Sequence, residues 1–426
     1  MNDYMNRMLL KAQKRSRELR HLAVVVSRTL HTAHLQKKNT LRVLFIASDN
    51  NNASGAFLSM TALNVLLREK KNVETFVILP EDGSGEELLR EKNIPFYKIE
   101  SINWVKKMGG RPSAASLAYS KLINHFAIRS IAKFAKENEF DLIHINTTYS
   151  YVGACAAKQA GIPFVWHLRE FLEEDQGKTL WDREKGNALI NQADRIVAIS
   201  KSIYKKYEGV FTPGKLVCIN NGIDTKAFLK PEKEIMNREK CVFLMVGDFR
   251  AHKGQQEFSE ACIQLFRKGY RDFEVWFIGE GDQTLKQKIR ERFEQNGMGD
   301  LVTFLGYRKN VPDYLEKSDV TFMCSRAEAF GRVTVEAMLA GNLLVGANTA
   351  GTVDLVEDMS TGLLYEAGNV DDLCSKMMWL MQHRDEAKTI AARGRAYMAE
   401  NMTAEINADH IYNLYREILR ERDSAE

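Results

Sequence analysis

The sequence predicts an α/β fold in which two parallel-sheet halves follow one another and face each other across a cleft. Three observations carry this. Short apolar stretches of strand length alternate with stretches whose apolar residues recur every three or four positions, as βαβ units require. The alternation breaks at residues 225–240, a charged run containing Pro231, and restarts at Cys241. The chain has 426 residues, enough for two sizeable cores.

The elements follow in order. Leu41-Arg-Val-Leu-Phe-Ile-Ala47 is short and apolar, like a parallel strand buried on both faces. Residues 48–55 are polar and loop-like, and 56–70 carry Leu58, Ala62 and Leu66 at helical spacing. A strand at 73–79, a helix at 86–92 and a strand at 96–99 come next. Residues 103–116 hold Lys106, Lys107, Gly109, Gly110 and Arg111 and are expected to form a mobile basic loop, followed by a helix that runs to Asn138. Strands are predicted at 141–145, 163–167, 194–200 and 215–220, with a helix at 149–160. Residues 225–240 read as a linker. Beyond it, strands at 241–246, 274–278, 302–305, 320–323 and 343–345 alternate with helices at 255–268, 284–295, 311–317 and 333–340. The expected division is a basic extension at 1–40, Rossmann-like domains at 41–225 and 226–405, and a helix at 406–426 that packs back on the first domain. Open parallel sheets bind ligands beyond the carboxyl ends of their strands, so the cleft between the halves is the natural site.

Composition is that of a soluble globular enzyme, 45% hydrophobic and 27% charged. The net charge of +4 is uneven: residues 1–40 hold nine Lys/Arg and two Asp/Glu, a balance of +7, and the other 386 residues sum to −3. The body is therefore not a nucleic-acid binder by charge. No apolar run reaches the roughly 18 residues of a membrane-spanning helix, and the start lacks the long apolar core of a secretory signal. Six scattered cysteines with no Cys-x-x-Cys pair point to a reduced, cytoplasmic compartment and no structural zinc.

Five strands of the second half each end in a glycine or polar loop. The first is Gly247-Asp-Phe-Arg-Ala-His-Lys253-Gly254, where a glycine turn with Arg250 and Lys253 suits a diphosphate. Gly279-Glu-Gly-Asp282 and Gly306-Tyr307-Arg-Lys follow two more; the latter's backbone could read a base edge. The most informative loop is Arg326-Ala-Glu328-Ala-Phe330-Gly331-Arg332-Val-Thr-Val-Glu336. A glycine ahead of a helix start brings free N–H groups to a phosphate. Glu336, about a turn and a half into that helix, suits ribose hydroxyls, and Glu328, on the loop, suits a sugar beyond the phosphates. The pair alone would equally suit a solvated helix face; the neighbouring loops favour the site. Thr349-Ala-Gly351-Thr352 ends the fifth strand.

These motifs, with Asn220-Asn-Gly-Ile-Asp224 at the domain boundary and Ala350-Gly-Thr-Val-Asp354 before Thr361-Gly-Leu-Leu364, make the chain similar to the retaining glycosyltransferases of family 4 (group 1), which have the two-domain GT-B fold. The resemblance runs from about Leu41 to the C-terminus. It implies that Glu336 binds the ribose and that Glu328 contacts the donor sugar near its reacting carbon. Phe330, Gly331 and Arg332 would pass close to sugar and diphosphate through their backbones. Lys253 would neutralise the leaving diphosphate, Gly55 would let the first domain approach the same phosphates, and His167 would match the family's histidine near the donor sugar. Two positions depart from the family pattern: Asp248 stands where an arginine is usual, with Arg250 as a substitute from another angle, and Asp354 stands where a glutamate is usual.

The resemblance implies transfer with retention from a UDP- or GDP-sugar to a glycan or lipid-linked acceptor, in cell-surface polysaccharide synthesis. The departing diphosphate oxygen would take the acceptor proton. With no Asp-x-Asp in the chain, no metal and no cofactor are expected; His31-Thr-Ala-His34 reads as a helix surface. In the first forty residues Met5, Met8, Leu9, Ala12, Leu19, Ala23, Val26 and Leu30 share one helical face, with Lys11, Lys14, Arg17, Arg20 and Arg28 mostly off it. Such a helix suits an anionic membrane surface at the inner face of the membrane, or packing on the body or on another subunit. Competing readings are a nucleotide-sugar epimerase of the same architecture and a non-catalytic partner subunit with a relic site.

Overall fold

A computed structural model of the chain describes residues 40–231 and 233–424. The segment 1–39, with its amphipathic pattern and its His31-Thr-Ala-His34 stretch, lies outside the described residues.

The first half supplies β1 (Arg42–Ile46), β2 (Glu74–Leu79), β3 (Phe96–Lys98), β4 (Val105–Lys107), β5 (Leu142–Asn146), β6 (Phe164–Leu168), β7 (Lys178–Leu180), β8 (Arg195–Ala198) and β9 (Leu216–Cys218). Seven of these form a parallel sheet in the order β3-β2-β1-β5-β6-β8-β9. The second half supplies β10 (Cys241–Val246), β11 (Phe273–Ile278), β12 (Val302–Gly306), β13 (Val320–Met323), β14 (Leu343–Ala347) and β15 (Leu363–Tyr365). They form a parallel sheet in the order β12-β11-β10-β13-β14-β15. Strands such as β5, β6 and β14 are buried along their whole length, which is why they read as continuous apolar runs rather than alternating ones. This is the two-sheet GT-B architecture.

In each sheet the strand order reverses beside the first strand, between β1 and β5 and between β10 and β13. Loops leaving neighbouring strands at such a reversal diverge and open a crevice. The two crevices face each other.

Three local expectations are corrected. The basic stretch 103–116 is not simply a mobile loop: β4 lies within it and pairs antiparallel with β7. Trp104 anchors it, buried 5.0 Å from the Tyr151 ring and donating from Nε1 to the Thr148 carbonyl at 2.6 Å. A three-residue strand whose partner lies some seventy positions away leaves no periodic signal. The charged run 225–240 does more than link. It opens with a short helix, Thr225–Phe228, and buries Ile235 and Met236 in the second core. Lys233 Nζ donates to the carbonyls of Leu315 and Ser318 at 2.5 and 2.6 Å, tying the run to that domain. The helices Arg183–Ile190 and Lys201–Tyr207 also went unread, being too short for helical spacing to stand out.

The last helix, Ala404–Asp423, returns to the first sheet. Ile411, Tyr415 and Ile418 share one core with Val43, Phe57 and Leu63, and Lys71 pairs with Asp409 at 2.6 Å. Ile411 is fully buried there. Ile411→Ala is expected to cost about 2–5 kcal/mol, read as a lower urea midpoint in tryptophan fluorescence.

Candidate active site

A cavity of about 1200 Å³ fills the space where the two reversals meet. Its walls are the loops after β1 and β5 and the segment following β6 on one side, and those after β10 and β13 on the other. Of the residues singled out from sequence, Gly55, Gly247, Arg250, Lys253, Glu328, Phe330, Gly331 and Arg332 line it together.

The second-domain wall is built around two loops. Gly331 caps the helix Arg332–Leu339 at φ 89°, a left-handed conformation that glycine adopts without the usual strain. No side chain caps that helix, so its first backbone N–H groups keep their hydrogen-bonding capacity for an anion. Lys253 Nζ donates to Glu328 Oε2 at 2.9 Å and lies 3.6 Å from Asp175 Oδ1 of the first domain. His252 Nε2 lies 3.2 Å from the same Asp175 oxygen. Burial and then the Glu328 charge raise the Asp175 carboxyl's pKa, against the opposing pull of Lys253. Behind this loop the Gly351 N–H donates to the Glu328 carbonyl at 2.7 Å, and a Cβ at position 351 would stand 2.7 Å from that oxygen. That contact explains the glycine of Thr-Ala-Gly-Thr. Asp354 Oδ2 accepts from Ser202 N of the first domain at 2.7 Å.

Arg332 crosses the cleft with its side chain. Nη1 donates to Ser59 Oγ at 3.0 Å and Nη2 to Glu336 Oε1 at 3.2 Å. A Cβ on Gly55 would lie 3.3 Å from Arg332 Cδ, so Gly55 is where the two domains press closest over this arginine. Glu336 does not line the cavity. It is buried behind Arg332, and burial raises its carboxyl pKa above the ordinary 4.5. Tyr307 lies outside the cavity, 52% exposed, its N–H donating to Glu280 Oε1 at 3.3 Å. Asp248 is exposed beside Arg250, 3.4 Å away, and it is Arg250 that enters the cavity wall.

On the first-domain side β6 delivers His167, Arg169 and Glu170. Arg169 is buried, and burial lowers its pKa to about 9. It donates from Nε to Asn146 Oδ1 at 2.5 Å and from Nη1 to Asn221 Oδ1 at 2.6 Å. Glu170, raised by burial, accepts from Thr148 N at 2.6 Å and from the Thr148 hydroxyl. Arg169, Glu170 and Asn221 line the cavity, whereas His167 lies wholly buried beside them. Sequence reasoning missed Arg169, Glu170, Asp175 and His252. The first two stood in Trp-His-Leu-Arg-Glu170, a charged pair closing an apolar strand, and that was a usable signal. His252 stood inside the Gly247–Gly254 loop already singled out, whereas Asp175 carried none.

The fold and this cleft define a two-domain α/β protein with one cavity between its sheets. Residues 69–227 match the family described as Glycosyltransferase Family 4, and residues 228–397 match Glycosyl transferases group 1. The chain belongs to the group 1, family 4 glycosyltransferases and has their GT-B fold. N-acetyl-alpha-D-glucosaminyl L-malate synthase of Bacillus anthracis is 25% identical over 54% of this chain and 62% of its own, so the match spans just under two thirds of that relative. N,N'-diacetylbacillosaminyl-diphospho-undecaprenol alpha-1,3-N-acetylgalactosaminyltransferase of Campylobacter jejuni is 25% identical over 83% of this chain and 93% of its own. The crystal structure of Anabaena HepE in complex with UDP and glucose aligns with a TM-score of 0.73 at 22% identity, covering 88% of this chain and all of that one. At that identity the likeness speaks for the fold.

The buried Glu336 has a pH consequence. Its folded pKa lies above its unfolded one, so between the two the folded state holds more protons and stability falls as pH rises. The full cost is present above the folded value and absent below the unfolded one. Glu336→Gln is therefore expected to raise the urea midpoint at pH 7 and to change it little at pH 4.

Proposed function

We propose that the protein is a retaining, metal-independent glycosyltransferase. It moves a sugar from a UDP- or GDP-sugar to a glycan or lipid-linked acceptor in the synthesis of a cell-surface polysaccharide. The observation that carries this is the single cavity in which Lys253 and Glu328, the Gly331 helix start and the cations Arg250 and Arg332 converge. The relatives lend support: the C. jejuni enzyme is named for a diphospho-undecaprenol acceptor, and the HepE structure for UDP and glucose.

In this reading the diphosphate lies on the N–H groups of the Arg332–Leu339 helix, with Lys253 and Arg250 beside it. As the anomeric C–O bond breaks, negative charge gathers on the departing diphosphate oxygen, and fixed cations there lower the barrier. The acceptor oxygen bonds to the anomeric carbon from the same face. Its proton passes to the departing oxygen, so no protein base is needed. Glu328, held by Lys253, orients the sugar. With cations of the chain balancing the diphosphate, no metal is required. Glu336 reaches the ribose once Arg332 turns from it to the phosphates. The epimerase and relic-subunit readings gain no observation of their own.

The chain's place at an anionic membrane is part of the same reading. Among the described residues no helix is long and apolar enough to cross a membrane. Residues 101–136 hold seven Lys/Arg and no Asp/Glu, and Met108, Leu122 and Phe126 are exposed there. Together with residues 1–40 they suit an anionic lipid surface.

Calorimetry with UDP, GDP, ADP and their sugar conjugates is expected to show one preferred nucleotide. Affinity should weaken by about 1.5–3 kcal/mol in Glu336→Ala. Transfer should persist in EDTA and collapse in Glu328→Gln; full activity of Glu328→Gln would sink the assignment. Flotation with phosphatidylglycerol vesicles should retain the protein and lose it when residues 1–38 are removed and Lys106, Lys107 and Arg111 are neutralised. Retention by neutral vesicles alone would contradict the electrostatic part.

A further inference from the structure

Lys253 has a carboxylate neighbour from each domain. Glu328 Oε2 of its own domain accepts at 2.9 Å, the length of a full charge-assisted hydrogen bond. Asp175 Oδ1 of the first domain stands 3.6 Å from Lys253 Nζ and 3.2 Å from His252 Nε2, both longer than such bonds. The Asp175 side chain is nonetheless only 17% exposed. All four side chains line the cavity.

The segment that carries Asp175 presents it to the cleft. Phe171 and Leu172 are buried and anchor its start. Glu173 and Glu174 both accept from Lys206 Nζ of the first domain, at 2.6 and 2.7 Å. The Gly177 N–H closes the turn on the Glu173 carbonyl at 3.1 Å. Two of the three consecutive carboxylates are thus tied to their own domain, and Asp175 faces the cations of the other. Its long contacts repay little of its desolvation, and burial holds its pKa above the ordinary 3.8 against the pull of Lys253. Burial also lowers the His252 pKa below its ordinary 6.5, which favours the neutral ring. With Asp175 ionised, two carboxylates, one ammonium and a neutral imidazole sum to a negative charge. An anion that approaches Lys253 therefore meets a carboxylate already there. The loose contact across the cleft costs less to break than the 2.9 Å bond to Glu328, so Asp175 is the partner that gives way.

We propose that Asp175 is a surrogate anion. It holds Lys253 in the empty cleft, exchanges with the diphosphate of an incoming nucleotide, and on returning to Lys253 speeds release of the nucleoside diphosphate. It thereby sets nucleotide affinity from the opposite domain. That the rival anion is a diphosphate rests on the glycosyltransferase reading; that Asp175 competes with an anion for Lys253 does not.

The test is calorimetry of the full chain and of Asp175→Asn with UDP, GDP and inorganic pyrophosphate, with uridine and guanosine as phosphate-free controls. The variant should bind pyrophosphate and the preferred nucleoside diphosphate about tenfold more tightly, the scale of relieving one like-charge contact. It should bind the nucleosides no differently. In stopped flow the nucleoside diphosphate should leave the variant about tenfold more slowly. Asp175→Glu keeps the charge and should bind as the wild type does. If Asp175→Asn does not fold, Asp175→Ala removes the same carboxylate and should give the same gain. Unchanged or weaker anion binding in whichever of these two variants folds would overturn the proposal. So would a gain shared by the nucleosides, or an equal gain in Asp175→Glu. Tighter pyrophosphate binding by the variant, when the wild type transfers no sugar, would count against the glycosyltransferase reading alone. Sugar transfer by the wild type, with anion affinity unaltered in the variant, would count against the role of Asp175 alone.

Discussion

Each sheet reverses its strand order beside its first strand, and at each reversal two adjacent loops leave in opposite directions. This constraint places the site. The loops after β1 and β5 are held apart by helices on opposite faces of the first sheet, and those after β10 and β13 likewise in the second. Because both sheets turn their carboxyl edges toward the same space, five polar loops separated by long stretches of chain share one cavity. Nothing in any one loop would bind a diphosphate strongly. Together they supply a helix N-terminus and three cations at close range.

The cleft is bridged by charge as well as by chain. Arg332 reaches Ser59, Asp354 accepts from Ser202, and Asp175 stands opposite His252 and Lys253. Each contact joins the two domains, and Arg332, Asp175, His252 and Lys253 also line the cavity. Between exposed partners such pairs are worth little, but several here are largely desolvated, where removing one partner is expensive. Close beside this rim the chain crosses between domains twice. Ile223 and Thr403 form a short parallel bridge, and a Cβ on Gly222 would lie 2.3 Å from the Thr403 carbonyl. That crossing lets the last helix return to the first sheet and bring Tyr415 beneath the site.

The site is built at a cost in stability. Arg169, Glu170 and Glu336 are buried ionisable groups, and desolvation is the largest influence on each. Arg169 and Glu170 are compensated by Asn146, Asn221 and Thr148, so their geometry is fixed before substrate arrives. Glu336 has Arg332 as its one charged partner among the described residues. The large aromatic and aliphatic cores on both sides offset this. Well-filled cores and under-compensated charges at one cavity are the usual division of labour in an enzyme.

Local pattern was enough for much of this protein. Parallel strands buried on both faces are continuous apolar runs, so most of β1 to β14 could be placed to within a residue or two from sequence. Glycine and polar loops after them marked much of the cavity's second-domain wall, and the segment 326–336 marked the family. What sequence could not supply was pairing across distance. β4 and β7, Asp175 with Lys253, and Tyr415 with His144 are each joined only by the fold, the last across 271 positions. Nor could it show that Glu336 sits behind Arg332, because a helix period gives the face a residue takes but not what crosses over it. Periodicity is a property of neighbours along the chain. Burial, proton position and charge pairing belong to neighbours in space, and those are decided when the two sheets and the last helix come together.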